Sequence, residues 1–216
     1  GGFGGGAGGS GGGGGAGLGG AIFNNGGTVT ITNSTITSSA AIGGAGGAAG
    51  GGTAGNAGQG LGGAIFNRNG TLTILNSTIS GNTADDGGRD VFNLSDGTGN
   101  TGTANITNSI LGQSGPTTIT NFASSSINGG NAPADAGLTN LMSNRGTFPA
   151  AGVIAATDPL LGALANNGGP TQTFALLSGS PALGAGTSAG APSTDQRGLP
   201  RSGAVDIGAF QTQTPT

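Results

Sequence analysis

Four acidic residues, Asp85, Asp86, Asp90 and Asp96, fall in one short stretch with Arg89 among them, and they are half of all the acids in the chain. Carboxylates at that density suit two kinds of chemistry. They can hold a hard cation such as Ca²⁺ together with backbone carbonyls, or they can serve as acid and base on a polysaccharide beside a neutralising cation. The segment NTADDGGRDVFNLSDGTGN fits the first better, as a structural calcium site at a coil edge, although its spacing matches neither an EF-hand nor the nonapeptide calcium repeat. The plainer alternative is a solvated loop with a local Arg–Asp pair. Catalysis has little to draw on, because the chain lacks His, Cys, Lys, Tyr, Trp and Glu. General bases reduce to Asp, and no Ser has a visible activating partner. The expectation is a protein that is not an enzyme and has no cofactor, with structural Ca²⁺ the one candidate.

The elements that would position these residues are written as a repeat. GLGGAIFNNGGTVTITNSTITSS from Gly17 and GLGGAIFNRNGTLTILNSTISGN from Gly60 agree at 16 of 23 positions. Each copy falls into short runs, with apolar residues alternating against Thr, Ser and Asn and with Gly or Asn at the joints, which is a strand period of two. Three strands and three corners per copy predict an all-β fold, a right-handed parallel β-helix (β-solenoid) with Gly-rich insertions and a C-terminal cap. A looser third copy carries Gly88–Asn93 where GGAIFN stood and Thr103–Leu111 where TVTITNSTI stood. Pro116–Gly130 reads as a further coil, after which Ala132–Ala156 loses the Thr alternation and the repeat is expected to end.

This pattern divides the chain into a Gly-rich segment at 1–17, coils at 18–130 interrupted by a Gly-rich insertion at 43–60, and final coils with a cap at 131–216. Asn33, Asn76 and Asn108 precede Ser at one corner and are expected to bond from coil to coil while satisfying a tight turn. Phe23, Phe66 and Phe92 are expected to stack inside. The sequons at Asn33, Asn76, Asn93 and Asn105 read as structural asparagine rather than glycan acceptors. The two Gly-rich segments admit two readings: flexible loops leaving one corner, or extended polyglycine layers packed against one another or a neighbouring subunit. Rows of Thr at Thr28, Thr30, Thr32, Thr71 and Thr73 are ordinary on a solvent-facing strand, and they also raise an ordered-water surface for ice or a crystalline glycan.

A net charge of −3 with five scattered Arg gives no basic stripe, which argues against nucleic acid. The longest apolar runs are too short for a membrane span. With no initiator Met and no signal-peptide pattern at Gly1, the chain reads as a mature or trimmed form of something longer. A coat of Thr, Ser, Asn and Gly with few charges points outside the cell.

From Asp158 the text changes to DPLLGALANNGGPTQTFALLSGSPALGAG and then TDQRGLPRSGAVDIGAF. These residues resemble the C-terminal part of bacterial choice-of-anchor Q proteins, and the GGAIFN and NSTISGN coils resemble those preceding it and the repeats of polymorphic outer-membrane proteins. The resemblance implies a secreted, pectin-lyase-like β-helix without an assigned activity. Asp195, Arg197, Arg201 and Asp206 belong to this cap and are expected to form structural ion pairs. The resulting expectation is an extracellular structural protein that assembles with itself through coil stacking and Gly-rich contacts into a filament or layer. A cell-surface adhesin binding glycan is the alternative.

Overall fold

A computed structural model describes residues 11–113, 119–155 and 158–213. Gly1–Ser10 of the first Gly-rich segment, and Pro116–Thr118 of the expected fourth coil, lie outside the described residues. The first coil contains β1 (Gly17–Leu18), β2 (Ile22–Asn25), β3 (Thr28–Thr32), β4 (Thr35–Ile36) and β5 (Ala40–Ala41). The second repeats them as β6 (Gly60–Leu61), β7 (Ile65–Arg68), β8 (Thr71–Leu75), β9 (Thr78–Ile79) and β10 (Thr83–Ala84). The third holds β11 (Val91–Asp96), β12 (Thr103–Thr107) and β13 (Ile110–Leu111), and the fourth β14 (Phe122–Ile127), β15 (Ala134–Leu138) and β16 (Asn140–Met142).

The protein is all-β, and equivalent strands of successive coils lie side by side in parallel. The first sheet runs β2, β7, β11, β14; the second runs β3, β8, β12, β15; the third runs β4, β9, β13, β16 and then β17 (Val153–Ala155). The repeat offset sets the register, since Ile22 pairs with Ile65, Val29 with Leu72, and Ile36 with Ile79. The chain visits each sheet in turn and returns one strand further along, an order consistent with a β-solenoid.

The repeat does not end after Gly130. β15 and β16 complete a fourth coil in register with β12 and β13, although Ala134–Leu138 lacks Thr altogether. The parallel backbone ladder to β12, with Asp135 accepting from Asn93, holds this segment without a Thr pattern.

Side chains of like kind stack inside. Ile22, Ile65, Val91 and Phe122 form one row, and Ile36, Ile79, Leu111 and Met142 another, all in one core. In the fourth coil the inward positions of β15 are Asp135 and Gly137, opposite Ala104 and Ile106. The vacated space is taken by Phe148, which is fully buried and packs edge-on against Phe122 at 4.9 Å. Phe148 stands just before a short 3₁₀ turn, Ala150–Gly152, and it plugs this end of the core.

The Gly-rich segments pack against one another. Gly11, Gly14 and Gly17 donate N–H bonds to the carbonyls of Thr53, Asn56 and Gln59; Gly44 and Gly47 donate to Gly15 and Gly12; Gly55 and Gly58 donate to Gly47 and Gly44. Every donor lies three residues from the next within its segment, the period of an extended polyglycine helix. The segments at 11–17 and 53–60 run parallel, 43–48 runs antiparallel to both, and each bonds the other two. A Cβ at Gly14, Gly43, Gly46 or Gly58 would stand 1.8–2.1 Å from a neighbouring carbonyl oxygen. Only glycine allows that approach. The residue just before the inward glycines Gly14, Gly17, Gly43, Gly46, Gly55 and Gly58 lies on the outer side, and these places hold Gly13, Ala16, Ile42, Ala45, Ala54 and Ala57.

β18 (Leu161–Ala165) and β19 (Thr173–Leu176) form an antiparallel hairpin. The segment that follows lies along the flank of the coils. Ala182 and Ile207 pack with Ile110 and Leu141 on the outer side of the third sheet, forming a second small core. Gly208 and Ala209 reach Asn108 and Thr78 with their backbone N–H groups. The C-terminal segment is therefore a lateral strap over several coils, and Phe148 supplies the end closure.

Candidate functional site

The aromatic stack forms on the face opposite to the expected one. Phe23, Phe66 and Phe92 lie nearly parallel at centroid spacings of 5.7 and 5.5 Å. Strand alternation sends Ile22 and Asn24 to one side of β2 and Phe23 to the other. The interior takes the Ile and Asn rows, so the phenyl rings stand on the outer face of the first sheet. Phe66 is 1% exposed, sandwiched between its neighbours, whereas Phe23 is 41% exposed.

The place inside that the Phe row was assigned is filled by an amide ladder. Nδ2 of Asn24 donates to Oδ1 of Asn67 at 2.7 Å, Asn67 to Asn93 at 2.7 Å, and Asn93 to the carboxylate of Asp135 at 2.7 Å. The same amides donate to the carbonyls of Gly27, Gly70 and Gly102 at the corner into the second sheet. Buried amides are acceptable only when bonded in this way. Burial pushes the Asp135 carboxyl up, opposed by its hydrogen bonds to Ser124 and Asn93. The sequence signal was present: IFN, IFN and VFN put Asn at the same parity as the inward Ile or Val.

The asparagines singled out beforehand do a different job. Asn33, Asn76 and Asn108 turn the corner between the second and third sheets with φ of 47°, 43° and 50°, and Thr139 does so in the fourth coil at 53°. Asn tolerates that left-handed backbone better than other side-chain-bearing residues. Among the described residues their side chains bond from coil to coil only through Asn108 donating to Asn76 at 3.4 Å and Thr139 donating to Asn108 at 2.5 Å. Further side-chain bonds go to the strap: Asn33 Nδ2 donates to Thr194 O, Arg201 donates to Asn33 Oδ1, and Asn108 bonds both the N–H and the carbonyl of Thr187. Serines carry the axial bonds at this corner, Ser34 N–H to Ser77 Oγ and Ser77 N–H to Ser109 Oγ.

The four clustered acids point to four places. Asp85 accepts the N–H of Gly43 and Asp86 that of Gly60, each at 2.8 Å, so adjacent carboxylates clamp the exit and the return of the glycine insertion. Asp90 is buried, accepting from Asn82 at 2.9 Å and Asn121 at 2.7 Å. Desolvation raises its carboxyl to about 7, against the lowering effect of those two bonds and of Arg89. Asp96 pairs with Arg68 at 2.7 Å and accepts from Asn128, which hold its carboxyl below the usual range, the Asn128 bond most strongly. Among the described residues no group of three or more acidic side chains converges as a metal would require.

In the strap, Arg197 bonds Asp195 at 2.7 Å and lies over the Phe210 ring at 3.7 Å. Arg201 donates to the carbonyls of Asp206 and Gly208, while the Asp206 carboxylate accepts from Gly184 and Thr212 N–H groups. These side chains tie loops together.

The two ends of the coil stack differ. Among the described residues β2, β3 and β4 of the first coil are each the outermost strand of their sheet, and Ile22, Val29 and Ile36 are only partly buried. No helix among the described residues is long and apolar enough to cross a membrane. No family model matches the chain, and neither a curated protein nor a solved structure matches it.

Proposed function

We propose that this chain is an extracellular structural protein, a right-handed parallel β-helix that assembles with itself through its open end. The observation that carries this reading is the inequality of the ends. Among the described residues β2, β3 and β4 are the outermost strands of their sheets, around a partly covered apolar rim, and edge strands accept another strand unless something blocks them. At the other end β14 and β15 are the last strands of their sheets and flank the Phe148 plug. Joining the open end of one copy to those edges of the next makes a heterologous contact, which continues into a filament unless its rotation closes a ring. Low charge and small side chains favour close lateral packing of the rods. The resemblance to secreted choice-of-anchor Q proteins supports the compartment.

Electron microscopy and sedimentation of the purified chain test this. Filaments with a constant axial repeat are expected, and Val29→Lys, which places an inward charge at the open rim, is expected to leave single folded rods. Dispersed rods of the unaltered chain at high concentration would overturn the reading.

A further inference from the structure

The phenyl stack stops one rung early. The register places Ala123 beside Phe92 and Ser125 beside Leu94, so both large side chains of the third coil face small ones in the fourth. At this step lies a groove of about 390 Å³, within the roughly 300–1,000 Å³ of small-ligand sites. Its apolar side is formed by Phe92, Leu94 and Ile127, the last 45% exposed. Its polar side is formed by Gln59, Asp86 and Ser125. Asp86 is held in place by its Oδ2 bond from Gly60 N–H. Its Oδ1, the Gln59 amide and the Ser125 hydroxyl make no hydrogen bond among the described residues.

We propose that this groove binds a neutral hexopyranose unit of a glycan, laid against Phe92 where a fourth ring would stand. A pyranose has an apolar face of C–H groups, which suits the negative face of a phenyl ring, and hydroxyls around its edge. Those hydroxyls donate to Asp86 Oδ1 and Ser125 Oγ and accept from the Gln59 amide. An aromatic side chain of a peptide would cover Phe92 but strip water from the three polar groups without replacing their bonds. An acidic sugar would meet Asp86 in a chain of net charge −3. A neutral sugar satisfies both sides. Sugar binding favours aromatic faces at the surface, and the outward phenyl stack supplies them. The groove borders β14, one of the edges used in the proposed assembly, so binding is measured on the unassembled Val29→Lys rods as well as on the unaltered chain, and the two readings fail separately.

The test is saturation-transfer NMR and calorimetry of the full chain with cellohexaose, chitohexaose and mannohexaose, and with N-acetyl-phenylalaninamide as an aromatic probe. One of the saccharides is expected to bind with a Kd of about 1 mM or tighter, with transfer to its ring C–H protons. Ala123→Phe supplies the missing ring and Ser125→Leu fills the step, and each is expected to weaken binding at least about tenfold without lowering Tm. Gln59→Ala, a change at an exposed side chain, is expected to weaken binding even if a filled variant fails to fold. Binding of no saccharide, binding unaltered by the folded variants, or binding of the aromatic amide alone overturns the proposal.

Discussion

The coils and the glycine bundle are joined at Gly17, Gly43 and Gly60 and keep different periods. In the coils the period is two: alternate residues bury Ile, Val, Leu and Asn, and apolar burial adds to the backbone bonds. In the bundle the period is three, no side chain lies between the segments, and close backbone packing with N–H···O bonds does the whole work. Glycine also loses the most entropy on ordering. The coils should therefore be the stable body and the bundle a dependent layer, held at both limbs by Asp85 and Asp86.

Substitutions can separate the two. Phe148→Ala, which opens the plugged end of the core, is expected to cost about 3–5 kcal/mol and to lower the denaturant midpoint of coils and bundle together. Loss confined to one of them would show that they do not share a cooperative unit. Gly46→Ala places a Cβ 1.9 Å from Gly55 O and is expected to cut hydrogen-exchange protection at Gly44, Gly47, Gly55 and Gly58 by at least about tenfold, leaving coil amides unchanged. Gly13→Ala, at an outward place, should change stability by less than about 0.5 kcal/mol, and an equal effect of the two variants would refute the period-three packing.

A pH slope is expected of the coils alone. Asp90 keeps its proton up to about 7 when folded, against 3.8 ordinarily. Between those values the folded chain binds a proton that the unfolded chain has released, so stability falls as pH rises from about 4 to about 7, by at most about 1.4 kcal/mol per pH unit. Urea midpoints across that window should show the slope, and Asp90→Asn should reduce it, leaving the part due to Asp135, whose carboxyl burial also raises.

Much of this was readable beforehand where a residue type repeats at a fixed offset. The offset between the Gly17 and Gly60 copies foretold the parallel register, and Asn before Ser foretold a corner. Which face a row occupies was harder. Hydrophobicity alone sends Phe66 inside, but period two forces a choice between Phe66 and the pair Ile65 and Asn67. The amide ladder decides it, because only an inward Asn67 meets Asn24 and Asn93. Alternation was legible there and was outweighed by residue class. The GGA–GGA run carried the period of the bundle, whereas nothing local in Ser180–Gln211 says that it lies along the flank, since its partners Asn33, Thr78 and Asn108 are remote in the chain. The four acids looked like one site because they are near in sequence, yet a coil corner separates Asp86 from Asp90 and sends one carboxylate out and the other in.

The amide ladder also has a grammar of descent. Each Asn donates to the next and accepts from the one before, so a coil carrying Asn at this position can be copied into the series or deleted from it without leaving a neighbour unanswered. Asp135 is different: a carboxylate only accepts, and it ends the series. A lineage built on this plan can lengthen by duplicating units ahead of Asp135, while the unit that holds Asp135 stays last.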